Sequence, residues 1–284
     1  MLKRISQLLV AGLLLSSAAS AQDMSEVKIE ASKVAGNVYM LKGRGGNIGV
    51  LSTNEGLVLV DDQFQALAEK IEAAMKQIND KPLKYVINTH FHGDHTGSNA
   101  YFAEKAPIFA HENVRARLAA DERVSAKALP VVTYEGGVTI YLDNEEIQLT
   151  HLPSGHTDGD TVVYFKKANV LHTGDLFFEL GFPFIDINRG GNVRGYLKNV
   201  KYMIDNTPDN VVIIPGHGKI TDKDGLKAFA QMIEDCIVRV EAALKAGKSE
   251  ADILAMGVEE KYKSKSWAFI NEERWLKTLV AGLQ

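Results

Sequence analysis

Cysteine is almost absent. The single one, Cys236, cannot form an internal disulfide. It falls in a stretch with helical spacing, 228–243, where a packing role is expected. A basic excess is missing too. The 32 Lys and Arg stand against 36 Asp and Glu, for a net charge of -4, which leaves no electrostatic footprint for nucleic acid. Low-complexity tracts, short-period repeats and linker-like stretches do not occur, which argues against a string of modules. Long apolar runs are absent except at the start. There Lys3 and Arg4 precede the run Leu8–Leu15, and Ala19-Ser20-Ala21 follows it. This pattern reads as a secretory signal peptide over residues 1–21, cut after Ala21. The run is too short to span a bilayer well. The expectation is an exported protein, periplasmic in a Gram-negative source, with no membrane span in the mature chain.

The whole chain is 45% hydrophobic, and what remains, residues 22–284, is long enough for one domain with a sizeable core. Short strands are expected at 27–29, 38–41, 48–52 and 57–60, with a turn at Gly43–Asn47. The spacing of Leu67, Ile71, Ala74, Met75 and Ile78 predicts a helix over 65–78. A strand at 85–88 follows, then a helix over 96–102, a strand at 107–110 and a helix over 112–120. Strands are expected at 131–134, 138–142, 146–151, 161–165, 170–172 and 211–214, with a helix at 196–204. From Gly225 the chain turns helical, through 243, then 250–256 and 267–283. Sheets with helices outside them, in two halves, predict an α/β sandwich. The 225–284 helices form a C-terminal extension that either packs on the domain or mediates association.

One stretch carries the chemistry: His90-Phe91-His92-Gly93-Asp94-His95. It follows the apolar run Tyr85–Asn88. His90 and His92 are two apart, so an extended chain projects both to one side. Gly93 permits a sharp turn that swings Asp94 and His95 to a second position nearby. Neutral imidazoles and carboxylates are ligands for zinc and other borderline divalent metals. A catalytic zinc uses three protein ligands and keeps one position open, so four donors here point to two metals. Further donors follow later strands, each beside glycine: His156 in Ser154-Gly155-His156-Thr157-Asp158-Gly159-Asp160, Asp175 in His172-Thr173-Gly174-Asp175, and His217 in Pro215-Gly216-His217-Gly218. Strand ends are where rigid elements deliver side chains to a common site.

These motifs, in this order, resemble the metallo-β-lactamase superfamily, over about Val38 to Gly218. The resemblance implies a four-layer αββα sandwich with metals at one edge between two sheets. It assigns His90, His92 and His156 to a first zinc, Asp94, His95 and His217 to a second, and Asp175 to both. A hydroxide shared by two Zn2+ would attack an acyl carbonyl, with Asp94 orienting it and moving its proton. Departures narrow the reading. Flavodiiron relatives have glutamate where His92 stands, so zinc is favoured over iron. The main class of true β-lactamases has cysteine at the Asp175 position and no ligand at the His95 position. It also has a lysine three residues later, where this chain has Phe178. The ligand set is similar to that of glyoxalase-type thioesterases, lactonases and general hydrolases, although a C-terminal glutathione-binding pattern is missing.

The expected activity is therefore that of an exported dinuclear zinc hydrolase cleaving an ester, thioester, lactone or amide in a small-molecule substrate. A β-lactamase is the alternative within that class, and a non-catalytic metal-binding or relay protein the alternative outside it. Phe177, Phe178, Phe182, Pro183 and Phe184 either line a substrate cleft or pack in the core. Asn192 is a candidate donor to an oxyanion, and Arg194 or Arg44 a candidate anchor for a substrate carboxylate. The Gly43–Asn47 tip is a candidate lid. His172 is a candidate support for a ligand, and His111 and His151 are not needed as ligands.

Overall fold

The computed structural model describes residues 24–284, so the leader expected over residues 1–21 lies outside the described residues. The first half runs β1 (Glu30–Ala35), β2 (Val38–Lys42), β3 (Ile48–Ser52), β4 (Leu57–Val60), α1 (Ala68–Ile78), β5 (Leu83–Ile87), α2 (Gly93–Thr96), α3 (Asn99–Phe102), β6 (Ile108–His111), α4 (Glu112–Ala119) and β7 (Val132–Tyr134). The second half runs β8 (Gly137–Leu142), β9 (Glu145–His151), β10 (Thr161–Phe165), β11 (Val170–His172), α5 (Val193–Asp205), β12 (Val212–Ile214), β13 (Thr221–Asp222), α6 (Lys223–Lys245), α7 (Glu250–Met256) and α8 (Glu272–Leu283).

Strands β1 to β7 form one sheet in sequence order, antiparallel through β4 and parallel from β4 to β7. The other sheet has the order β13-β12-β11-β10-β9-β8, and only the β11–β12 pair is parallel. Strand periodicity sorts the core into three layers. Val58, Val60 and Ile87 of the first sheet meet Leu149, Val163 and Phe165 of the second. The alternate residues Leu59 and Val86 face away from that seam, against Ile71 and Met75 of α1. On the second sheet Val162 and Leu171 face outward, against Tyr196 of α5, Ile233 of α6 and Trp275 of α8. Apolar residues in β4 and β10 are consecutive because both faces are covered. The result is the expected αββα sandwich. No helix among the described residues is long and apolar enough to cross a membrane.

Several boundaries differ from expectation. The strand expected at 27–29 is irregular backbone whose Val27 and Ile29 still pack on the first sheet's outer core, and the edge strand is instead the polar β1. An edge strand needs only backbone pairing on one side, so it carries no apolar alternation to read. The helix expected over 96–102 is only the short turn α3; Thr96 instead ends the separate turn α2, and Gly97 and Ser98 lie between the two. There Ser98 N donates to Asp62 Oδ1 at 2.9 Å and to Gln63 O at 3.0 Å, instead of to Asp94 O as in a helix running on from α2. The last helix starts at Glu272, five residues later than expected, because Asn271 supplies its cap by accepting from Arg274 N.

Candidate metal centre and its cleft

Each donor sits just past a strand, at the edge where the sheets meet. The loop after β5 carries His90 and His92, then α2 carries Asp94 and His95. The β9–β10 connection carries His156, the turn after β11 carries Asp175, and the loop after β12 carries His217. The structure brings all seven together in two groups. In the first, His92 Nδ1 lies 3.2 Å from His90 Nε2 and 2.8 Å from His156 Nε2. Asp175 Oδ2 is 3.4 Å from His156 Nε2 and 3.8 Å from His90 Nε2. In the second, Asp94 Oδ2 lies 3.4 Å from His217 Nε2 and 3.8 Å from His95 Nε2. Asp175 Oδ1 is 3.1 Å from His95 Nε2 and 3.4 Å from His217 Nε2. One carboxylate thus turns one oxygen to each group.

The outward nitrogens explain why these rings suit a cation. His156 Nδ1–H donates to Phe184 O at 2.8 Å, and His92 Nε2–H to Asp186 Oδ2 at 3.1 Å. His95 Nδ1–H donates to Asp61 Oδ2 at 2.7 Å. Thr89 Oγ1 donates to Asp61 Oδ2 at 2.8 Å and so accepts from His90 Nδ1 at 3.0 Å. Each of these four rings therefore keeps a proton outside and turns a lone pair inward. In the first group three lone pairs converge, which is repulsive unless positive charge lies among them. In the second, buried Asp175 Oδ1 and His95 Nε2 have no hydrogen-bond partner among the described residues. Five imidazoles and two carboxylates with these orientations fit two borderline divalent cations.

The charges agree. Burial pushes the His90 imidazolium well below its ordinary range and His156 down to about 4, so both are neutral near pH 7. Burial opposes charge on His95 and His217 as well. There Asp175 and Asp94 outweigh it, lifting His217 to about 9 and His95 well above the usual value. Burial would raise Asp175, but His95 and His217 hold it well below the carboxylate range. Protons and metal ions compete for the same lone pairs in the second group, so metal uptake there releases protons.

Two supporting residues escaped the sequence reading. Asp61, fully buried, holds His95 and accepts from Thr89 N at 2.8 Å. Asp186 holds His92. Asp61 had a readable signal, an aspartate at the end of an apolar strand. Asp186 had none, because its partner lies 94 residues away.

Four of the donors, His92, Asp94, Asp175 and His217, line the floor of a cleft of about 590 Å³, and buried His90, His95 and His156 stand behind them. Phe178 and Phe184 line it, whereas Phe177 and Phe182 belong to the outer core of the second sheet. Phe178 is also buried and lies flat on the His217 ring, with centroids 5.2 Å apart. Arg44 lines the mouth and has no ion pair among the described residues. Arg194 is not there: it pairs with Glu241 at 2.6 Å, in a groove between α5 and α6. Asn192 does not line the cleft either; it caps α5, its side-chain oxygen accepting from Gly195 N at 2.8 Å. The tip expected as a lid is pinned in its second half. Gln63 Nε2 donates to Gly46 O at 2.5 Å, and Asn47 Nδ2 donates to Pro215 O at 2.8 Å and Gly218 O at 3.1 Å. His172 Nε2 faces Asn47 O at 3.2 Å, so it braces that tip. His111 and His151 stack on each other, 3.7 Å apart, outside the donor groups.

Comparison with known proteins agrees with the geometry. The profile of the metallo-beta-lactamase superfamily matches residues 41–217. A probable metallo-hydrolase, YqgX of Bacillus subtilis, is 28% identical over 198 residues, spanning 64% of this chain and 92% of that protein. Metallo-beta-lactamase IND-1 of Chryseobacterium indologenes is 27% identical over 230 residues, spanning 76% of this chain and 92% of that protein. Among solved structures, a metallo-beta-lactamase from Pontibacter korlensis superposes with a TM-score of 0.65 at 21% identity, covering 73% of this chain and all of that one. That last likeness is one of fold.

Proposed function

The chain belongs to the metallo-beta-lactamase superfamily, and we propose that within it the protein is an exported dinuclear zinc hydrolase of small-molecule esters, thioesters, lactones or amides. One observation carries the reading: two donor groups share Asp175, one oxygen each, on the floor of a cleft lined with aromatic rings. His90, His92 and His156 would hold one zinc, Asp94, His95 and His217 the other, and Asp175 both. When bound, the pair supplies a water made acidic near neutral pH and a Lewis acid for a carbonyl oxygen. Of the two carboxylates in the ligand set, Asp94 is the more open and the one to handle protons. Its side chain is about a quarter exposed at the cleft floor, while Asp175 is buried. It accepts the proton of the attacking water as the oxygen–carbon bond forms. It then returns that proton to the leaving group as the acyl bond breaks. Asp61 and Asp186 keep His95 and His92 in the tautomers that face the centre. Export rests on the leader pattern of residues 1–21 alone.

A β-lactamase reading has specific support in the similarity to IND-1 and in the unpaired Arg44 at the cleft mouth, which can hold a carboxylate. Against it stands Phe178, an apolar ring packed on His217 where a lysine would grip that carboxylate. The test is turnover by the purified mature protein at measured zinc content, on a cephalosporin, a carbapenem, an acyl-homoserine lactone and a thioester. Lactone or thioester turnover, lost to chelator, restored by zinc and abolished in Asp94→Ala, is the expected result. Cephalosporin or carbapenem hydrolysis with the same metal dependence would favour the β-lactamase. No turnover at two zincs per chain would leave a non-catalytic metal-binding protein.

A further inference from the structure

One wall of the cleft comes from beyond the family match. The matched region ends at residue 217, yet Trp267 and Phe269 line the cleft together with Phe64, Phe178 and Phe184. Both lie in the connection between the 3-10 turn Glu260–Lys265 and α8. This connection is fastened to the fold. Trp267 Nε1 donates to Phe182 O at 2.9 Å, and Phe182 N donates to Lys265 O at 3.0 Å. The rings form a continuous surface, with centroids 5.9 Å apart for Trp267 and Phe178, 5.8 Å for Trp267 and Phe269, and 5.4 Å for Phe184 and Phe269. Arg274 clamps the outer end: its guanidinium carbon lies 4.2 Å from the Phe269 centroid and 5.2 Å from that of Phe184, and Nη1 donates to Phe269 O at 2.9 Å. Phe269 is nevertheless 49% exposed. A large apolar ring held in place by a backbone bond and a cation, yet left half in water above a reactive centre, is surface suited to a ligand.

We propose that Trp267 and Phe269 form an acyl-group wall that selects substrates carrying an apolar acyl group, an alkyl chain of medium length or an aryl ring. This rests on the hydrolase reading above and adds its substrate class. The polar atoms of the cleft concentrate at the floor, around Asp94, Asp175 and the imidazoles, where the scissile carbonyl would lie. The walls offer rings and no amide or hydroxyl side chain, so a sugar or polar peptide would lose hydration with little return. Arg44, without an ion pair among the described residues, stands at the mouth and suits a terminal carboxylate rather than the acyl group itself.

The experiment is a series of p-nitrophenyl esters, acetate, octanoate and phenylacetate, with the zinc-loaded protein, Phe269→Ala and the Trp267→Ala/Phe269→Ala double variant. Loss of pocket contacts of this size is worth about tenfold or more in discrimination. The expected result is at least a tenfold fall, in the double variant, of the octanoate-to-acetate ratio of kcat/KM, carried by KM, with a parallel fall for phenylacetate. A ratio within twofold of the parent overturns the proposal. Phe269→Ala, at an exposed position, keeps the test valid should the double variant fail to fold. If the zinc-loaded parent turns over no ester, the hydrolase reading fails on its own. The wall is then read by octanoate binding through Trp267 fluorescence. Saturable quenching that vanishes in Trp267→Phe supports it, and no quenching overturns it.

Discussion

At Gly46 one hydrogen atom in place of a side chain sets where His95 can stand. A Cβ built at Gly46 would lie 2.1 Å from His95 Cε1, far inside contact distance. The backbone of the tip therefore covers the second donor group at a range only glycine allows. His95 cannot yield, because its other face is tied to Asp61. On the dinuclear zinc reading proposed above, Gly46→Ala is expected to tilt His95 off the centre, drop the zinc content from two per chain toward one, and cost about 100-fold in kcat, as a misplacement of an ångström does. Metal analysis of the dialysed variant beside a melting curve checks this; two zincs and full turnover would refute it. Gly46 also marks how far residues can be read from sequence. The seven donors were legible because their spacing and their places after apolar strands repeat a pattern that metal chemistry explains. Asp186, Trp267 and Phe269 were not, because each acts through an approach across 50 to 94 residues of chain that no local spacing encodes. Arg194 and Asn192 lie outside the cleft lining. A polar residue beside a glycine loop looks available until its partner is visible, Glu241 47 residues on for Arg194 and Gly195 N three residues on for Asn192.

Among the elements, helices were legible where a buried stripe recurs every third or fourth residue, as in α1, and strands where both faces are covered, as in β4 and β10. Polar edges carry no such signal, so β1 and the two-residue β13 stayed hidden. The helix expected over 96–102 ran through Gly97 and Ser98 because the bonds that interrupt it come from Asp62 and Gln63, more than 30 residues earlier. The joint between α1 and α3 makes a prediction of its own. Glu72 of α1 accepts from Tyr101 Oη of α3, and pairs with Lys76 at 2.9 Å and Lys105 at 3.2 Å. Tyr101 and Lys76 together hold its carboxyl down from 4.5 to about 2. A depressed carboxylate stabilises the fold above its unfolded value and loses that contribution as pH falls through its folded one. Glu72→Gln is thus expected to cost about 1–2 kcal/mol at pH 7, after allowance for partial exposure, and almost nothing near pH 2. Urea midpoints of both proteins at pH 7 and pH 2 measure it. An equal cost at the two pH values would mean that packing, not charge, joins the helices.

For the whole molecule, the question is whether the helices after the family match are an appendage. We propose that residues 24–284 fold as one cooperative unit. In α8, Trp275, Leu276, Leu279 and Val280 are all at most 1% exposed, and they share one cluster with Phe182, Val193 and Tyr196 from before residue 217. Trp275 lies flat on Phe182, with centroids 5.9 Å apart. Burying four such side chains contributes roughly 6–12 kcal/mol, as large as the stability of a typical domain. A chain ending at residue 257 is therefore expected to be insoluble or to lack a cooperative melt, even with zinc added. A soluble truncated chain that binds two zincs and melts in one transition would make the extension a separate unit. The same packing dictates how the cleft must be probed. Trp267 and Phe269 hang between α8 and the turn before it, so deleting the segment would remove the wall and the core together. Only point substitution at the half-buried Trp267 and the exposed Phe269 separates substrate selection from folding.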